Sequence, residues 1–101
     1  MNQVAEFYRR ELEQALKEQA FGISRSELIR SDEHEAEATI TLLEGNTINV
    51  VLSSAGHKVL DQEIFYETLD DLLSSTSPAY AAKRVETLMA RLQGLADEKG
   101  S

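Results

Sequence analysis

Ala36-Glu37-Ala38-Thr39-Ile40-Thr41-Leu42-Leu43-Glu44-Gly45-Asn46-Thr47-Ile48-Asn49-Val50-Val51-Leu52 is the stretch that decides the fold. Ala36, Ala38, Ile40 and Leu42 alternate with Glu37, Thr39 and Thr41, a period of two that puts the apolar set on one face of a strand and leaves the other face wet. Glu44-Gly45-Asn46 supplies residues tolerant of positive φ, so the chain should turn here. Thr47 to Leu52 is rich in β-branched residues and reads as the returning strand. Ser54-Ala55-Gly56 is a second turn, with His57 to Leu60 as a short edge strand beyond it. Upstream, a weaker pattern predicts another strand over about Ile23 to Ser31. Three or four antiparallel strands result, with one face that must be covered.

Helical periodicity on both sides supplies the cover. From Val4 to Ala20 the residues Val4, Tyr8, Leu12, Ala15, Leu16 and Ala20 form one apolar stripe. Glu13 and Lys17 are spaced for an i,i+4 pair, and Gly22 is positioned as a helix stop. On the other side, Phe65, Leu69, Leu72 and Leu73 share one side of a short helix expected over Ile64 to Leu73. Ser74-Ser75-Thr76-Ser77-Pro78 should interrupt it, with Ser77 as N-cap and Pro78 in the first turn of the next helix. That helix is expected from Pro78 to Ala96. Its residues Val85, Leu88, Met89, Leu92 and Leu95 fall within roughly 120° of the circumference at ~100° per residue. Residues 97–101 should fray. The expected fold class is α+β: an N-terminal helix, a three- to four-stranded antiparallel sheet and two C-terminal helices packed on one face. The 101 residues are read as a single domain with a core over about 4–96.

Hydrophobic residues make up 42% of the chain and charged residues 28%, too apolar a balance for disorder throughout. The net charge of −8 argues against nucleic acid or an anionic membrane as partner. Acidity concentrates between residues 35 and 77, where one lysine faces eight carboxylates, whereas residues 78–101 are nearly neutral. The absence of cysteine removes disulfides, thiol nucleophiles and thiolate metal sites. No stretch reaches the ~20 apolar residues of a membrane span, and the N-terminus lacks a signal-peptide pattern. A monomer in the cytoplasm or nucleus is the expectation.

Catalytic signatures are absent from the sequence. His34 and His57 lack metal-ligand spacing and read as two solvated histidines, so no metal and no cofactor is expected. Glu67, Asp70 and Asp71 read as a solvated acidic face, with Glu67 and Asp70 favouring the positive end of their helix. No Gly-x-Ser-x-Gly elbow and no glycine-rich phosphate loop is present. Ser77-Pro78 has the form of a proline-directed phosphorylation site, although capping is the simpler role for Ser77. An enzyme is not expected.

The run Phe65-Tyr66-Glu67-Thr68-Leu69-Asp70-Asp71-Leu72-Leu73-Ser74-Ser75-Thr76-Ser77-Pro78-Ala79-Tyr80 resembles the signature of the glycogen synthase kinase-3 interaction protein (GSKIP) domain family. That signature has an aromatic followed by Glu-Thr, then Leu-Leu, then Ser-Pro-x-Tyr ahead of a terminal helix. Leu52-Ser53-Ser54-Ala55-Gly56-His57-Lys58-Val59 is similar to the family's Leu-Thr-x-x-Gly-x-Lys-Val segment. Leu88-Met89-Ala90-Arg91-Leu92-Gln93-Gly94-Leu95 is similar to its Leu-Leu-x-Arg-Leu-x-x-Leu ending. The resemblance spans roughly residues 22–95.

This resemblance implies the α+β fold and a non-enzymatic adaptor that binds glycogen synthase kinase-3 through its terminal helix, as a helix of axin does. By position, the kinase-binding residues would be Leu88, Met89, Leu92 and Leu95, with Arg91 as polar contact. The family member that binds the kinase carries Phe four residues before the first leucine, where this chain has Arg84. The same domain occurs in clustered-mitochondria proteins, which implies as an alternative a structural module with no kinase binding. Some relatives also anchor protein kinase A through an RII-binding helix; Val4, Tyr8, Leu12 and Leu16 occupy the matching place. One stripe on the terminal helix can serve the core or a partner, not both. A division with Tyr80, Val85 and Leu88 inward and Leu92 and Leu95 outside is one arrangement; all of them in the core is the other.

Overall fold

A computed structural model describes the backbone of residues 3–100 and the side chains of residues 6–94. Helix α1 spans Gln3–Glu18 and a single 3-10 turn spans Ala20–Gly22. Strands β1 (Ile23–Ser31), β2 (Glu35–Leu42), β3 (Thr47–Ser53) and β4 (Gly56–Val59) follow, then α2 (Leu69–Thr76) and α3 (Pro78–Gly100). The four strands form one antiparallel sheet in chain order, the α+β arrangement expected from the two periodicities.

Register follows the alternation. Ala36 pairs with Leu52, Ala38 with Val50 and Ile40 with Ile48, so the apolar residues of β2 and β3 share one face. Leu12 and Leu16 of α1, Leu69, Leu72 and Leu73 of α2, and Val59 of β4 close over that face with Ile40, Leu42 and Val50. Each leucine sealed here contributes about 1.5–3 kcal/mol relative to exposure. The opposite face is mostly polar, with Val51 buried among polar neighbours: Glu37 is buried there, accepting from Arg30 Nε at 2.8 Å and from Asn49 Nδ2 at 2.8 Å. β1, the less regular edge, has register shifts between Ile23 and Arg25 and between Leu28 and Arg30, which leave Ile29 exposed.

Several boundaries differ from the periodicity. α1 ends at Glu18 rather than Ala20, because the chain tightens into the 3-10 turn before Gly22. Glu13 pairs with Arg9 at 3.7 Å, one turn back, rather than with Lys17. The largest correction is α2, expected over Ile64 to Leu73. Residues before Thr68 are not helical, because Tyr66 is bound to β4: His57 N donates to Tyr66 O at 2.8 Å and Tyr66 N to His57 O at 2.7 Å. Thr68 then starts the helix, its Oγ1 accepting from Asp71 N at 3.0 Å. Phe65 is therefore exposed on the loop instead of lying on a helix face. The serines expected to break α2 form its last turn, and α3 continues past Ala96 to Gly100.

His57 is a second correction. It is 8% exposed, and neither ring nitrogen has a hydrogen-bond partner. Burial pulls its pKa below the ordinary 6.5, against an opposing effect of the Tyr66 and Glu67 backbone. Below 6.5 the unfolded chain takes up a proton that the folded domain refuses, so acidification favours unfolding. We predict that wild-type protein loses more stability between pH 7.5 and pH 5.5 than His57→Leu, by urea denaturation at each pH. Equal losses would show that the imidazole is not responsible.

Candidate functional site

The N-terminus of α3 is fastened by three elements at once. Ser77 Oγ accepts from Tyr80 N at 3.0 Å, the N-cap bond expected from Ser-Pro. Glu44, from the β2–β3 turn, accepts from Ser77 Oγ at 2.7 Å and from Ala79 N at 2.8 Å. These donors hold the Glu44 carboxyl below its usual range, the Ala79 amide first among them. Sequence reasoning missed Glu44, which reads locally as a turn residue. Its partners lie 33 and 35 positions away. Ser77 is fully buried against this carboxylate, so in the folded domain its hydroxyl is closed to a kinase.

Tyr80 is the pin. It is fully buried, with its ring 5.6 Å from that of Phe21 in the 3-10 turn. Its hydroxyl donates to Asp70 Oδ1 at 2.5 Å and lies 2.6 Å from the Gln19 side-chain amide. Both neighbours are acceptor oxygens, Asp70 Oδ1 and Gln19 Oε1, so the single hydroxyl proton is shared between them. Burial, with the Asp70 carboxylate beside it, raises the phenol pKa far above its ordinary value, so Tyr80 stays protonated. Arg84, one turn on, reaches the same carboxylate, with Nε at 2.8 and 3.0 Å from its two oxygens.

Beyond that base α3 leaves the body. The molecule measures 53 × 32 × 21 Å, and a 23-residue helix is about 34 Å long, so α3 accounts for the elongation. Its stripe is free: Val85, Leu88, Met89 and Leu92 are between 49% and 56% exposed. Of the residues expected to point inward only Tyr80 does so; Val85 and Leu88 are outside with Leu92. The helical repeat gives the reason. At ~100° per residue, the stripe's centre is rotated roughly 120° from Tyr80, so what is inward at the base turns away further along. Arg91 is exposed on the body-facing side of the stripe. The Leu95 side chain lies outside the described residues.

The matching stripe on α1 is not free. Leu12 and Leu16 are core residues and Tyr8 packs against the core. The Val4 side chain lies outside the described residues. Among the described residues no helix is long and apolar enough to cross a membrane, and His34, unlike His57, is exposed.

The model of the GSKIP domain family matches residues 8–95. The chain belongs to the GSKIP domain family. That match runs from α1 through the exposed part of α3, so the GSKIP domain includes both the sheet with its cover and the projecting helix. The family is one of interaction domains rather than catalysts. No curated protein matches the sequence closely enough to count as a relative.

Proposed function

We propose that this chain is a non-enzymatic adaptor that binds a protein kinase of the glycogen synthase kinase-3 type through α3. Leu88, Met89 and Leu92 would supply the anchors, with Leu95 continuing the row and Arg91 as flanking polar contact. The observation that carries the reading is the apolar stripe on a helix whose base is fastened and whose outer turns are uncovered. Helix-in-groove recognition needs apolar residues at i, i+3 or i+4 and i+7, presented without first unpacking a core. Membership of the GSKIP domain family supports the same reading.

One observation favours the rival, a structural module without kinase binding. Arg84 stands where the family resemblance implies a phenylalanine anchor, and Asp70 engages it. Titration calorimetry of the whole chain against purified glycogen synthase kinase-3 separates the two. Binding is expected, with Leu92→Glu weakening it at least ~30-fold, the effect of losing an anchor of about 2 kcal/mol. Because Leu92 is half exposed, this substitution should leave the fold intact. No heat at high micromolar concentration, or an unaffected variant, would favour the module. The anchoring of protein kinase A through α1 is not carried forward, since Leu12 and Leu16 are committed to the core.

A further inference from the structure

We propose that the partner's contact extends past the helix: one wall of its groove enters the hollow between α3 and the 3-10 turn and lands on Phe21. This rests on the reading of α3 as the docking helix. The hollow is an open space of ≈ 510 Å³, with Glu18, Gln19 and Phe21 on one side, Arg84, Thr87, Leu88 and Arg91 on the other, and Asp70 also in its lining. Leu88 therefore belongs both to the exposed stripe and to the hollow. A groove that clasps a helix has two walls. To enclose Leu88 it must pass one of them between α3 and the body, and the hollow is where that wall fits.

Phe21 has the character of an anchor. It is 38% exposed and its ring leans on Tyr80, which is immobilised by its own burial and hydroxyl bonds. A rigid aromatic at the edge of an interface loses little freedom on binding. The charges also specify the occupant. Arg84 is neutralised by Asp70, whereas Arg91 and Glu18, both in the lining, have no ion-pair partner among the described residues. The entering wall should thus be apolar where it meets Phe21 and Leu88, carry a carboxylate opposite Arg91 and present a cation or hydrogen-bond donor to Glu18.

The test uses the full chain and the same kinase. Phe21→Glu and Thr87→Trp are each expected to weaken binding tenfold or more, the first by removing the anchor and the second by filling the hollow. Phe7→Glu alters a more exposed aromatic far along α1 and should bind like wild type. Thermal melts establish that each variant folds; should Phe21→Glu fail to fold, Thr87→Trp decides. If Phe21→Glu and Thr87→Trp bind as wild type while Leu92→Glu does not, the stripe alone is the contact and the extension to Phe21 is wrong. If wild type does not bind, both readings fall. If the variants only change self-association, the occupant is a second copy and the proposal is overturned.

Discussion

Tyr80→Ala will cost the domain ~3–5 kcal/mol, the range for truncating a large buried aromatic. That is a large fraction of the roughly 5–15 kcal/mol available to a small domain. The ring fills space that nothing else can occupy. A Cβ built on Gly22 would sit 2.5 Å from Tyr80 Cδ2, so the 3-10 turn is shaped to receive this side chain. The hydroxyl joins Gln19 after α1, Asp70 on α2 and α3 itself, so one residue couples three helical segments. Tyr80→Phe keeps the ring and should lose only about 0.5–1.5 kcal/mol, because Asp70 retains Arg84 and is reached by solvent. Urea denaturation followed by circular dichroism gives both values. Hydrogen exchange should locate the weakness in Tyr80→Ala at the first turns of α3. A Tyr80→Ala variant within 1 kcal/mol of wild type would mean that α3 is fastened by its Ser77–Glu44 cap alone.

The parts of this fold legible in the sequence are those set by local period. The alternation of Ala36 to Leu42 and the β-branched run after Asn46 specify a hairpin, and Ser77-Pro78 specifies a helix start. Each was found as read. What escaped depends on partners distant in sequence. Glu44 has a turn residue's neighbours, and only the folded hairpin brings it to Ser77. Ile64 to Tyr66 has apolar content that suits a helix, but pairing of Tyr66 with His57 withholds its backbone from the helical ladder. Without metal-ligand spacing to His34, His57 reads locally as a solvated histidine. Its place opposite Leu52 on the inner face follows from β3–β4 register, which no local pattern reveals.

The candidate site divides on the same line. The heptad-like row on α3 is visible as a stripe. Whether it is buried or exposed is not, since an apolar helix face has the same pattern in either case. The answer depends on where the body ends, which the short α2 and the position of Tyr80 determine. The stripe on α1 has the same appearance and the opposite fate, because α1 lies across the sheet.

Gly56→Ala should cost roughly 3 kcal/mol, from backbone strain and lost hydrogen bonds together. Gly56 opens β4 at φ +121°, a conformation L residues rarely adopt. A Cβ there would lie 2.6 Å from Tyr66 O, the carbonyl that accepts from His57 N. The substitution therefore strains the turn and pushes away the loop that leads into α2. Gly45→Ala is the control. Gly45 also has positive φ, at +100°, but no atom lies within 4 Å of the added carbon, so only the strain of ~1 kcal/mol should appear. The difference between the two variants in urea denaturation measures what the contact with Tyr66 contributes. A Gly56→Ala protein no less stable than Gly45→Ala would show that the loop yields freely. In that case the pairing of Tyr66 with His57 would not be what positions α2, and through Asp70 and Tyr80 the direction in which α3 leaves the domain would need another determinant.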